Sequence, residues 1–192
     1  MEIRNLGGLA VTVIAMVAID ALWAPAKLLA AALAPSFFAA NIRPDIELLD
    51  AIAVAFMLVT STVFATWIYR CDKKLRDSGV DSLEFTPASR VWWFFVPVAN
   101  LVKPFQGMRE LWNASYGTWP YDSNQSLLST WWALWIIHSI SANFATRFEM
   151  GLWAIADAAI GIFLAATAIM LVRGITLAQS QLGDRALSEV FA

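Results

Sequence analysis

Long uncharged runs alternate with short polar segments along this chain. Residues 5–19 carry no charge, and Asp20, Trp23 and Pro25 follow, with Arg4 at the leading edge. This predicts a first membrane span over about 5–24, the length a bilayer needs. Residues 26–34 read as a kinked or interfacial continuation ending at Pro35, with Lys27 reaching to headgroups. A loop is expected over 36–44. Pro44, Asp45 and Glu47 then open a helix, the uncharged run 51–69 follows, and Arg70, Lys73, Lys74 and Arg76 close it. Acids at the start and bases at the end suit the helix dipole, and Gly79 is the expected stop. The second span is placed at about 47–70. Residues 127–146 and 150–172 complete the set, the last interrupted by Asp157 and ending at Arg173.

One apolar stretch does not fit. Residues 87–112 are hydrophobic, but only twelve uncharged residues lie between Arg90 and Lys103, and Pro97 divides them. A straight span needs about 17–25. After it, Phe105, Met108, Leu111 and Trp112 recur at helical spacing. Two threadings compete. If the stretch crosses, five spans divide the Lys and Arg residues seven inside to six outside. If it dips or lies flat, four spans put ten inside and leave Lys27, Arg43 and Arg147 outside. The positive-inside rule selects the second. The expected fold is therefore an all-α integral membrane protein, a single domain over 1–192 with four transmembrane helices. A proline-broken re-entrant or interfacial element over 88–116 completes it. Irregular backbone at membrane depth needs cover, so the other helices are expected to pack over 96–100. The rival for the first segment is a signal peptide cleaved near Ala24-Pro25-Ala26; Asp20 and the balancing of Arg4 by Glu2 argue against it.

Composition supports a membrane: 59% of residues are hydrophobic, 15% are charged, and mean hydropathy is +0.62. Ten tryptophans suit membrane–water boundaries. A net charge of −2 gives no reason to expect nucleic acid. Cys71 is the only cysteine and His138 the only histidine, so there is no disulfide pair and no zinc spacing. No metal or cofactor is expected.

The segment Trp92-Trp93-Phe94-Phe95-Val96-Pro97-Val98-Ala99-Asn100-Leu101-Val102-Lys103-Pro104-Phe105-Gln106, followed by Glu110-Leu111-Trp112 and Ala114-Ser115, resembles a bacterial membrane family. That family is catalogued as domain of unknown function 4328. Trp67-Ile68-Tyr69-Arg70, Phe85-Thr86-Pro87 and Trp131-Trp132-Ala133-Leu134-Trp135 also resemble it, so the likeness covers about 55–175. Lys74 stands where members often carry Asn. The resemblance implies a multi-helix bacterial membrane protein and supplies no activity or catalytic residues.

Few groups are candidates for chemistry. Asp20 and Asp157 are costly within spans and default to a site hypothesis; an interhelical contact, or wetting near the outer headgroups, is the plainer reading. Arg147, in the outer loop, is placed near them. His138 titrates or binds a ligand, or is simply a packed histidine. Pro97, Asn100 and Pro104 shape the broken stretch. There Asn100 either satisfies freed carbonyls or joins them in holding a cation or polar ligand, as broken transporter helices do. Gln106 and Glu110 read as a solvated or headgroup-facing surface beside Trp112. Arg70, Lys73, Lys74 and Arg76 read as a lipid-facing basic cluster that sets topology. Nucleophile–base arrangements and phosphate loops are lacking, which argues against an enzyme. The leading expectation is an inner-membrane accessory or scaffold protein with both termini cytoplasmic. Its partners would be membrane lipids, other membrane subunits or a second copy. The alternative is a small-solute or ion transporter with its site at the broken helix.

Overall fold

The computed structural model describes the backbone of residues 3–148 and 151–190, and the side chains of 6–144 and 151–182. All regular structure among the described residues is helical. Helix α1 spans Ile3–Leu33, α2 Pro35–Phe37, α3 Ile46–Asp77, α4 Pro87–Trp92, α5 Lys103–Tyr116, α6 Ser126–Phe148 and α7 Gly151–Val190.

The first helix is longer than the expected 5–24 span, because it continues through Pro25. A run rich in Ala and Leu resumes the ladder after the proline, and the missing N–H disturbs only one turn. The expected loop at 36–44 is also helical, made of α2, a π turn over Phe38–Ile42 and a 3-10 turn over Arg43–Asp45. Lys27 pairs with Asp50 and ties α1 to α3 there. Helix α3 stops where glycine predicted. Gly79 has φ +87°, its N–H donates to the Arg76 carbonyl at 2.9 Å, and the Val80 N–H donates to Leu75 at 3.1 Å. That is a Schellman closure, which glycine adopts without a Cβ penalty. Helix α4 begins with a capping box between Thr86 and Ser89, with Pro87 in its first turn.

Three helical segments are long and apolar enough to cross a membrane: Leu6–Leu33, Pro35–Asp77 and Gly151–Leu182. The expected span at 127–146 falls within α6. Its 23 residues reach about 35 Å, but Trp, Ser, Thr and His keep it out of that apolar set. Helix α7 continues well past Arg173, so its 40 residues extend about 60 Å.

The long helices form an arc. Helix α1 packs against both α3 and α7, and α7 packs against α6. Helices α3 and α6 stand at the two ends of the arc and do not pack together along their lengths. Helices α4 and α5 lie across the basic end of α3, and α5 also touches α7. Neither α4, with 6 residues, nor α5, with 14, is long enough to span a bilayer.

Between Trp92 and Lys103 the backbone makes only two 3-10 turns, over Trp93–Phe95 and Ala99–Leu101. Val98 links them at φ +66°, ψ −49°, and the Ala99 N–H donates to the Pro97 carbonyl at 2.8 Å. This is a γ-turn of the strained hand, rare for a β-branched residue. The other helices do not pack over 96–100 as expected: Pro97 and Val98 are exposed, Val98 by 80%. The stretch docks at its ends instead, with Phe94 packed against the core and Trp132 Nε1 donating to the Leu101 carbonyl at 3.0 Å. The indole takes the role expected of Asn100, whose side chain makes no hydrogen bond among the described residues. Leu101 lies beside the start of α6, where an indole stem brings both apolar packing and a donor.

Candidate functional site

Two polar constellations sit in this bundle, and they differ in whether their members find partners.

The first joins α3, α4 and α5. Asp72 is fully buried at the basic end of α3, where an acid opposes the helix dipole. Arg90 on α4 is 2% exposed. Its Nε donates to Asp72 Oδ1 at 2.8 Å and its Nη2 to Glu110 Oε2 at 2.6 Å. A further bond runs from Nη1 to the Gly107 carbonyl. Arg76 completes the set, donating from Nε to Asp72 Oδ2 at 3.1 Å and from Nη2 to the Phe85 carbonyl at 2.6 Å. Glu110 also accepts the backbone N–H groups of Glu84 and Phe85. Gly107 packs directly against Arg90, whose Cγ a Cβ there would meet at 3.6 Å, an ordinary contact distance.

These contacts correct two expectations. The Gln106/Glu110 face is not a solvated surface at Glu110, because the carboxylate is needed to neutralise buried Arg90. The basic cluster also divides. Arg70 and Lys73 are exposed, but Arg76 belongs to the ion network and Lys74 Nζ donates to the Gln179 carbonyl of α7 at 2.9 Å. Gln179, itself buried, donates from Nε2 to Cys71 O at 3.1 Å and Ser115 Oγ at 3.0 Å. Trp112 lies against Gly174, whose absent Cβ would sit 2.7 Å from the indole. Pro104, in the first turn of α5 at its other end, is also buried.

The second constellation lines a cavity of about 630 Å³ bounded by α1, α3, α6 and α7, with α4 and the turn after it at one end. Its walls are mostly alanine, aliphatic and aromatic residues. Asp20, His138 and Asp157, named from sequence on three separate helices, all face it. His138 Nδ1 is 3.1 Å from Asp157 Oδ1, an ion-pair distance when the imidazole is protonated. The approach is off the angle of a hydrogen bond, and neither buried atom has another partner among the described residues. The imidazole packs against Gly161 of α7, where a Cβ would be 3.4 Å from Cε1. The indole N–H of Trp23, also lining the cavity, is buried and unpartnered. Asp20 lies against Thr60, whose hydroxyl is 3.0 Å from the Phe56 carbonyl and has one proton for both acceptors. Among the described residues, no Lys or Arg lines the cavity.

Thr60 is the central residue of the uncharged run 51–69. Asp20, beside Thr60, therefore sits level with the middle of that run. The α3 wall includes Val54, Met57 and Ser61, all exposed on the open side between α3 and α6. Asn100 does not line the cavity; the broken stretch reaches it through Val91, Phe94 and Phe95 instead. Arg147 lies outside the residues whose side chains are described.

Sequence reasoning missed Thr60, Asp72 and Arg90. Thr60 had a signal, a polar residue midway along an apolar run. So did Asp72, the acid in a basic helix end.

Fold and site together define a class: an all-helical bundle with membrane-length apolar helices around a lateral, acid-bearing cavity. The chain belongs to the family described as Domain of unknown function (DUF4328), whose model matches residues 46–178. The match takes in α3 to most of α7, including the whole ion network, His138 and Asp157, and leaves Asp20 outside. No curated protein and no solved structure matches the chain.

Proposed function

We propose that this chain is a multi-pass protein of a bacterial inner membrane that binds a lipophilic cation, such as a long-chain amine, in the cavity between α3 and α6. One observation carries the reading: two carboxyl groups and an imidazole from three helices line one apolar cavity, and among the described residues no Lys or Arg lines it with them. Buried polar groups ordinarily have partners, and ionisable groups at membrane depth mark sites. An ammonium would complete Asp20 and Asp157, while its alkyl chain would follow the apolar wall. The volume lies within the usual range for small-molecule sites.

In this reading α1, α3, α6 and α7 cross the bilayer, α4 and α5 lie in the cytoplasmic interface, and both termini are cytoplasmic. Lys and Arg counting supports it, as does the length of α6 beside α7. A reporter fused at the C-terminus should signal from the cytoplasm, and a periplasmic signal would remove the four-span threading.

A scaffold role is the second reading, supported by the exposure of Trp92 and Trp119 on the α4–α5 side, at 64% and 72%. An ion site at the broken stretch has less support, because Asn100 does not line the cavity that the acids face.

The binding test compares dodecylamine with dodecanol, titrated into the detergent-solubilised protein and read by tryptophan fluorescence, since Trp23, Trp131 and Trp135 line the cavity. The amine should bind at least about tenfold tighter, and Asp20→Asn with Asp157→Asn should abolish that preference. Equal binding of amine and alcohol would sink the proposal.

A further inference from the structure

A second pocket, of about 400 Å³, lies between residues 82–85, the first turns of α5 and the 119–122 turn. Lys103, Gln106 and Arg109 line it at three-residue spacing, which places them on one face of α5. Lys103 Nζ stands 5.5 Å from the Phe85 ring centroid and has no carboxylate at ion-pair distance among the described residues. Arg109 donates from Nη1 to Asn124 at 3.0 Å and lies over the Phe105 ring, yet its buried Nε has no partner. Glu110, on α5 itself, is committed to Arg90, and the facing side is formed by the 82–85 segment and the 119–122 turn. Glu84 and Asp122 are exposed and make no ion pair among the described residues. The rings of Trp119 and Tyr121 complete that wall, in an edge-on pair with centroids 5.1 Å apart.

The pocket thus holds two cations and two carboxylates that do not neutralise one another. A ligand carrying both signs would satisfy both walls. The chain beside Lys103 also indicates the source. Leu101 and Val102, directly before it in sequence, are exposed by 49% and 52%. Acyl chains of a lipid would cover that apolar edge.

We propose that this pocket binds the headgroup of a zwitterionic phospholipid bearing a primary ammonium, with its phosphate on Lys103 and Arg109. The ammonium sits between Glu84, Asp122 and the aromatic pair, where charge and ring quadrupole both favour it. The site is separate from the amphiphile cavity, so Asp20→Asn and Asp157→Asn should leave it unchanged.

Native mass spectrometry of the full chain in mild detergent tests this. The probes are phosphatidylethanolamine, phosphatidylglycerol and phosphatidylcholine of matched chains, and free phosphoethanolamine. Phosphatidylethanolamine should bind about tenfold tighter than the other lipids, and Lys103→Glu should remove about tenfold of that affinity. Glu84→Lys should shift preference to phosphatidylglycerol. Lys103→Gln, which removes only the charge, serves if Lys103→Glu lowers the thermal midpoint, and it should weaken phosphatidylethanolamine in the same direction. Equal retention of the three lipids, or binding insensitive to both Lys103 variants, would overturn the assignment. So would free phosphoethanolamine binding as tightly as the lipid, which would assign the pocket to a soluble zwitterion.

Discussion

The ion network under α4 and the acid cluster in the cavity are both made of charges in places that penalise charge. They differ in closure. Around Arg90, every charged member meets opposite charge or backbone dipoles, and three elements are locked together. Around His138, the groups come close but leave polar atoms unpaired beside open volume. Satisfied buried charge reads as architecture. Unsatisfied buried polarity beside a cavity reads as a place for something else.

The largest expected effect comes from breaking the closed set. Arg90→Met leaves Asp72 and Glu110 buried without their cation and should cost about 3–5 kcal/mol, seen as loss of folded protein in a denaturant titration. Restoring charge balance with Asp72→Leu and Glu110→Met on the same background should recover much of that loss; no recovery would mean that the network holds the fold through more than charge. Gly174→Ala should cost about 1–3 kcal/mol, because its methyl would meet the Trp112 ring at 2.7 Å. An unchanged thermal midpoint would show that the α5–α7 contact is loose. The open set should behave in the opposite way. His138→Gln should change stability by less than about 1 kcal/mol while weakening dodecylamine binding. A large stability loss would move His138 from site to architecture. Smallest of all, Arg70→Ala or Lys73→Ala should stay within about 0.5 kcal/mol, since both are exposed.

The difference in closure also explains what was legible in the sequence. Helix existence followed from uncharged runs, and the stop of α3 from Gly79, because those signals are local. Asp20, His138 and Asp157 stood out because each interrupts an apolar run. Their meeting in one cavity depends on the arc of α1, α3, α6 and α7, which periodicity does not encode. Glu110 was misread because amphipathic spacing marks a polar face without saying what covers it. Here Arg90 reaches that face from another element. Asn100 was misread because a donor was sought within the broken segment, whereas Trp132 supplies it from a helix 31 positions away.

The ion network has a consequence for biosynthesis. Its members Asp72, Arg76, Arg90 and Glu110 all precede α6 in the chain. The knot at the basic end of α3 can therefore be tied before the last two helices leave the ribosome, in keeping with N-terminal-first assembly. The cavity, by contrast, needs Asp157 and Gly161 from the final helix. The knot is complete in the chain before α6, whereas the cavity has all its walls only once α7 packs against α1.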